Sequence, residues 1–243
     1  MIPAKRNRLI GAVFARANRA LFRRHFHAVH LRGREHVDGL DRAVPIIFYG
    51  NHSNWWDGLV EFLLTTEVFG FDSYLMMEEK QMTRYRFFRW IGAFSVNRAR
   101  PRDVMASIRY AASIFTRPNR VLWIYPQAEM RPNDVRPLRF FGGLSRIVEL
   151  AGRVQLVPVA HRYEFLMEQR PEVFTSFGVP EIVEGVGDRR EFLRERESRL
   201  TRLLDEIRAD MMEGRTSGYA TILRGYASAN VRLDRVRGKG SAG

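Results

Sequence analysis

Short hydrophobic runs alternate with longer amphipathic stretches along most of the chain. Between residues 28 and 182, β-branched or aromatic runs of strand length are separated by segments with helical periodicity. This alternation predicts an α/β fold with a mixed, mainly parallel sheet flanked by helices. The predicted strands are Val29–Arg32, Pro45–Tyr49, Tyr74–Met77, Phe94–Asn97, Val121–Tyr125, Gln155–Ala160 and Val173–Phe177. The predicted helices are Leu59–Val68, Arg84–Ile91, Val104–Phe115, Leu144–Ala151 and the amphipathic segment Asp188–Gly214.

The first 34 residues hold nine lysine and arginine side chains and no acidic one. Leu9, Val13 and Phe14 recur there at near-helical spacing, with arginines between them, which predicts a basic amphipathic helix. Two interpretations stay open: the helix lies on an anionic membrane surface, or it packs on the body of the same protein. We expect three parts, namely this helix (1–27), one large domain (28–226) and a flexible basic tail (227–243).

No apolar run approaches the roughly 18 residues that a membrane-spanning helix needs, and the N-terminal segment lacks the pattern of a signal peptide. We therefore expect a peripheral or monotopic protein at the cytoplasmic face of the cell membrane. The chain contains no cysteine, which excludes thiol catalysis, cysteine-based zinc sites and disulfides. No metal or bound cofactor is expected.

The formal net charge is +13, and arginine supplies nearly all of the basic side chains. Arginine binds phosphate through two parallel hydrogen bonds, so the excess favours a phosphate-bearing partner: a nucleic acid, an anionic lipid surface or a small phosphorylated molecule. GC-rich codon usage explains the same excess without any function. No helix-turn-helix, zinc-finger or RNA-binding signature accompanies the charge, so no nucleic-acid partner is expected.

The predicted strand Pro45–Tyr49 runs into the segment GNHSNWWDG, which contains His52 and Asp57. Positions five apart point in different directions on a continuous helix, so these two side chains can meet only if part of the segment is a loop. A histidine oriented by an aspartate is a typical general base, because the carboxylate fixes the ring tautomer and stabilises the imidazolium. A single histidine is more often structural, so the motif alone does not establish catalysis.

The string NHSNWWD resembles the NHx4D signature of the lysophospholipid and glycerol-phosphate acyltransferase family, and the resemblance extends from about residue 28 to 182. A second block, LMMEEKQMTRYRFFRWIGAFSVNR, is similar to the family's second motif and ends at Arg98. A fourth block is recognisable in LVPVA, at residues 156–160. The resemblance implies that His52 is the catalytic base and that Asp57 orients it.

The third block departs from the family. Family members usually read FPEGTR, whereas this chain reads YPQAEMR, so Gln127 replaces the acid, Ala128 replaces glycine and Arg131 lies one position late. The resemblance implies that Arg98 and Arg131 contact a phosphate or another anion of the acyl acceptor. It also places Gln127 at the acceptor, while Glu129 is a candidate replacement for the lost carboxylate.

The sequence thus predicts an O-acyltransferase that moves a fatty acyl group from acyl-CoA or acyl-carrier protein, as cosubstrate, to a lipid or glycerol-phosphate-type hydroxyl. Two alternatives stay open. One is a lipid or thioester hydrolase on the same fold, and the other is a non-enzymatic, arginine-rich module that binds nucleic acid or anionic lipid. The identity of the acceptor is not determined by the sequence.

Overall fold

The computed structural model describes residues 1–227, and the predicted tail lies outside them from residue 228 onward. The helices are α1 (Arg8–His25), α2 (Arg34–Asp38), α3 (Asp57–Leu63), α4 (Glu79–Arg84), α5 (Pro101–Ser113), α6 (Gly143–Ala151) and α7 (Arg189–Met212). The strands are β1 (Ala28–Arg32), β2 (Ile46–Gly50), β3 (Asp72–Glu78), β4 (Ala93–Val96), β5 (Arg120–Ile124), β6 (Val154–Glu164), β7 (Glu172–Phe177), β8 (Glu181–Val183) and β9 (Ala220–Arg224). A π-helical segment, Leu64–Phe69, continues α3, and short 3₁₀ helices follow α4 (Arg86–Ile91) and α5 (Ile114–Thr116).

All the strands of residues 1–227 join one sheet in the order β4-β3-β5-β2-β6-β7-β1-β9, with β8 paired to β6. The pairs β3/β4, β3/β5, β2/β5, β2/β6 and β1/β7 are parallel. The pairs β1/β9, β6/β7 and β6/β8 are antiparallel. The predicted mixed, mainly parallel sheet is therefore confirmed.

Both faces of the central strand β2 are buried, because helices cover both sides of the sheet. Ile47 and Tyr49 pack in one core cluster with residues of α5, α6 and α7. Ile46 and Phe48 pack in a second cluster with residues of α1, α2 and α3. Successive side chains of a strand point to opposite faces, so an uninterrupted hydrophobic strand belongs in the middle of three layers.

Helix α1 packs on the second core cluster and begins at Asn7, whose side chain accepts hydrogen bonds from the first backbone amides of the helix. Asn18 Nδ2 donates to Leu59 O at 3.0 Å, and Phe22 is buried against the same cluster. Leu9 and Val13, in contrast, are 80% and 65% exposed. The packing interpretation of the amphipathic pattern thus holds for one face of the helix, and the other face remains accessible.

The structure differs from the predicted elements in a few places. The predicted helix Arg84–Ile91 is confirmed only in part, since α4 ends at Arg84 and the residues Arg86–Ile91 form a 3₁₀ helix. The aromatic residues there pack against Phe14 of α1, a contact that helical periodicity does not encode. Strands β8 and β9 and the short helix α2 were not predicted, because each is brief and depends on partners that are distant in sequence.

None of the helices in residues 1–227 combines the length and the apolar character that crossing a membrane requires.

Candidate active site

Strand β2 ends at Gly50 in the middle of the sheet, and the chain continues as a loop until α3 begins at Asp57. His52 lies on this loop, and β5 and β6 flank β2 on its two sides. The carboxyl ends of parallel strands are where open α/β sheets usually bind their ligands. The loop therefore places both residues at the edge of the sheet where such a site is expected.

The structure brings the two side chains together. Nδ1 of His52 lies 2.9 Å from Oδ2 of Asp57, and the loop residues 51–54 are not helical, which meets the condition set by the spacing. Asp57 is fully buried, whereas the side chain of His52 is 20% exposed. An ionised carboxylate only accepts hydrogen bonds, so Nδ1 carries the ring proton and Nε2 keeps the lone pair that a base requires.

The carboxylate of Asp57 is held by donors on both oxygens. Oδ2 also accepts the backbone N–H groups of Ser53 at 2.8 Å and Asn54 at 2.9 Å. Oδ1 accepts the hydroxyl of Tyr163, on β6, at 2.6 Å. Burial, followed by the nearby charge of Asp57, raises the pKa of the Tyr163 phenol well above its usual value, so this hydroxyl stays a donor. No local motif marks Tyr163, because its partner lies 106 positions earlier in the chain.

The third sequence block contacts His52 from the β5 side. The ring of Tyr125 stacks on the imidazole with a centroid distance of 4.2 Å and an interplanar angle of 6°. Gln127 Oε1 accepts the backbone N–H of His52 at 2.8 Å, and the backbone N–H of Arg131 donates to His52 O at 2.7 Å. The block therefore fixes the backbone of the histidine through both its N–H and its C=O.

Gln127 lies in a different position from the one expected of an acceptor ligand. Its side chain is almost completely buried, and its amide oxygen is committed to the backbone of His52. Ala128, which follows it, has a φ of 57°, in the left-handed region that favours glycine. The structure thus keeps, with an alanine, a backbone conformation that suits the glycine of the usual motif.

The predicted acceptor arginines are both paired with carboxylates of the chain. Glu129 Oε1 lies 2.7 Å from Nε of Arg131 and 2.6 Å from its Nη2. Arg98 Nε donates to Glu78 Oε2 at 2.9 Å, at the ends of the neighbouring strands β4 and β3. Arg131 and Glu129 therefore lie on the loop after β5, which contacts the loop of His52. Arg98 lies farther along the same edge of the sheet.

A buried carboxyl group, that of Glu61, lies beside Tyr125, whose ring stacks on His52, and it was not predicted from the sequence. Glu61, one turn after Asp57 on α3, is buried beside Tyr125, and its Oε1 lies 3.8 Å from Nε2 of the buried His161. Burial raises the pKa of the Glu61 carboxyl and holds the pKa of Tyr125 well above its usual value. The signal was a single acidic residue inside the apolar run LVEFLL.

The two tryptophans of the loop have different surroundings. Trp56 packs edge-on against Phe22 and Phe26, at centroid distances of 5.5 and 4.8 Å, which connects the loop to the end of α1. Trp55 is 50% exposed. Trp56 therefore packs in the core, while Trp55 lies at the surface beside the site. Within residues 1–227, no cluster of three or more histidine, aspartate or glutamate side chains is placed to hold a metal ion.

The sequence and the fold both resemble known proteins. A family model described as Acyltransferase matches residues 28–162, which is more than half of the chain. No curated protein matches the sequence. The fold is similar to the crystal structure of the 1-acyl-sn-glycerophosphate (LPA) acyltransferase PlsC from Thermotoga maritima, with a TM-score of 0.59, 18% identity, and coverage of 83% of this chain and 79% of that one. The chain belongs to the acyltransferase family.

Proposed function

We propose that this protein transfers a fatty acyl group from the thioester of acyl-CoA or acyl-carrier protein to a hydroxyl of a lipid or glycerol-phosphate-type acceptor. His52 is the general base, and Asp57 orients it. The observation that carries the proposal is the 2.9 Å contact between His52 Nδ1 and Asp57 Oδ2, in a loop whose histidine side chain is partly exposed. The solved relative with this fold is described as an acyltransferase that acts on a glycerophosphate lipid.

The proposed reaction is a direct transfer. Nε2 of His52 takes the proton of the acceptor hydroxyl while the oxygen attacks the thioester carbonyl carbon. The carbon–sulfur bond then breaks, and the leaving thiolate takes the proton back from the imidazolium, so the products are an ester and a free thiol. Asp57 stabilises the imidazolium between these two steps, because its carboxylate faces Nδ1.

The direct test is the substitution His52→Ala, assayed with labelled acyl-CoA and a total lipid extract. We expect turnover to fall by at least about 100-fold, the usual effect of removing a general base. His36→Ala is a matched control, because His36 lies on α2, away from the His52 loop. Within residues 1–227, the one hydrogen bond of its ring joins Nδ1 to the backbone oxygen of Phe177. Normal transfer by a folded His52→Ala protein would exclude the proposed mechanism.

The same assay separates the proposal from its rival on the same fold. Mass spectrometry of the products shows whether a lipid gains the acyl group or free fatty acid accumulates. A hydrolase would release fatty acid without any new ester, because water would replace the alcohol as the nucleophile. That result would retain His52 as a base and reject the transferase assignment.

We further propose that the protein docks on the cytoplasmic face of the cell membrane through the accessible face of α1. Leu9 and Val13 are among its most exposed apolar side chains, and Arg8, Arg16 and Arg23 are exposed on the same helix. Exposed apolar residues beside basic ones are the pattern of a helix that lies in an anionic lipid interface. A docked α1 would bring the loop beside Trp56 close to lipid acceptors.

The double substitution of Leu9 and Val13 by aspartate tests the membrane proposal without disturbing the packed face of α1. Deleting the whole helix would not, because Asn18 and Phe22 belong to the core. We expect co-sedimentation with phosphatidylglycerol vesicles to weaken by about tenfold or more, since two apolar side chains lose their burial in lipid. The matched control replaces Val179 and Ile182, which are also exposed and lie beside α7, the helix that covers the other face of the sheet from α1. Equal binding by both variants would reject the proposal.

A further inference from the structure

The charge balance beside His52 bears on the class of acceptor. Arg131, on the segment after β5, lies next to the loop of the base, because its backbone N–H donates to His52 O at 2.7 Å. An arginine in this place is a natural ligand for a phosphate group. Its guanidinium, however, is already engaged by Glu129, whose Oε1 accepts from Nε and lies 2.6 Å from Nη2.

The pairing leaves no positive charge in excess at this point. A general base must be neutral before it takes a proton, so His52 adds no charge. Asp57 and Glu129 then contribute two negative charges, and Arg131 contributes one positive charge. Two further arginines close to this segment are also paired: Arg136 with Asp205, and Arg162 with Asp134 and Glu164. Each of these three arginines is thus paired with at least one carboxylate of the chain.

The segment that carries the Glu129–Arg131 pair is fixed to the site. Asn51, next to His52, donates to Asn133 Oδ1 at 2.8 Å and to His161 O at 2.9 Å, which holds the segment from its other end. The Arg131 side chain is only 19% exposed, whereas that of Glu129 is 47% exposed. The carboxylate is therefore the more accessible member of the pair.

We propose that the acceptor is an uncharged, hydroxyl-bearing lipid, and that Glu129 selects against acceptors with a phosphate near the reacting hydroxyl. This inference rests on the proposed function. A phosphate would have to displace Glu129 from Arg131 and remain beside the displaced carboxylate. A neutral alcohol needs neither change, so discrimination comes from an unfavourable contact with the wrong acceptor rather than from a stronger contact with the right one.

The test compares two acceptors that differ only by the phosphate: a monoacylglycerol and the lysophosphatidate with the same acyl chain, each with labelled acyl-CoA. For the wild-type protein we expect kcat/KM to be higher for the monoacylglycerol. Glu129→Gln should raise kcat/KM for the lysophosphatidate by about tenfold or more relative to kcat/KM for the monoacylglycerol. This magnitude follows from the repulsion between a carboxylate and a phosphate dianion about 5 Å apart, even at the dielectric constant of water.

Glu149→Gln is the matched control, since it makes the same change in net charge at a carboxylate that pairs with Arg189 on the surface formed by α6 and α7. It should leave the ratio between the two acceptors as it is in the wild type. A wild-type preference for lysophosphatidate, or a ratio that Glu129→Gln does not move, would overturn the inference and leave the acyltransferase assignment intact. Absence of any transfer that depends on His52 would instead overturn the proposed function, and this inference with it.

Discussion

Replacing Tyr163 with phenylalanine would remove a single oxygen atom from the candidate active site. That hydroxyl donates to Asp57 Oδ1 at 2.6 Å, and no other side chain or backbone group of residues 1–227 donates to this oxygen. The ring of Tyr163 also packs near Phe26, at a centroid distance of 6.0 Å, and phenylalanine preserves this contact. The substitution therefore tests the hydrogen bond and not the packing.

The size of the effect follows from the burial of Asp57. The carboxylate is fully buried, so no solvent replaces the lost donor, and a hydrogen bond to a charged group contributes about 1.5–3 kcal/mol. If the whole of this energy serves to hold Asp57 against His52 during the reaction, kcat falls by about 10- to 150-fold. We expect KM to change little, because the hydroxyl faces the carboxylate and not the open side of the histidine ring.

The assay is steady-state acyl transfer, with thermal unfolding measured on the same samples. Tyr49→Phe is the matched control: Tyr49 is also fully buried, on β2, but its hydroxyl has no hydrogen-bond partner within the described part of the chain. It should keep normal turnover. Combining Tyr163→Phe with Asp57→Asn should give little further loss, because the hydroxyl acts through the carboxylate. Turnover within twofold of wild type, or an equal loss in the Asp57→Asn background, would refute the positioning role of Tyr163.

Three further predictions concern stability. Ala128→Gly should raise the free energy of unfolding in urea by roughly 0.5–1 kcal/mol. The left-handed backbone of Ala128 costs about 1–2 kcal/mol, and glycine removes this strain at a smaller entropic cost. A lower urea midpoint would contradict this. Burial raises the pKa of Glu61, so the folded state binds its proton more tightly than the unfolded state does, and stability falls as pH rises above the unfolded pKa. The melting temperature of Glu61→Gln should therefore fall less than that of the wild type between about pH 5 and about pH 8. An equal fall in both proteins would reject the raised pKa of Glu61. Gly92→Ala should cost about 2 kcal/mol or more, because a Cβ would lie 2.2 Å from Ser73 O at a φ of +115°, and a thermal melt near wild type would show that β4 adjusts.

Strands and helices whose sequence pattern lies within one short segment were predicted to within a few residues of their observed ends. Strand β2 was predicted at Pro45–Tyr49 and lies at Ile46–Gly50, since an uninterrupted hydrophobic run fits only a strand that is covered on both faces. Helix α7 begins after Asp188, whose side chain accepts the backbone N–H of Glu191 at 2.8 Å, as its capping position predicted. The segment Arg84–Ile91 was predicted less closely: it forms a 3₁₀ helix from Arg86 to Ile91, and its aromatic side chains contact α1, which its own periodicity does not encode.

The sequence by itself determined the mixed sheet, the position of the His52 loop at the end of a central strand, and the spacing that allows Asp57 to reach the ring. These features depend on residues a few positions apart, so their signal lies within single segments. Only the tertiary structure decided that Tyr163 holds Asp57 and that Gln127 supports the backbone of His52, across 106 and 75 positions. The folded chain alone also paired Arg131 with Glu129, since the sequence placed the two residues side by side without determining which way either side chain turns.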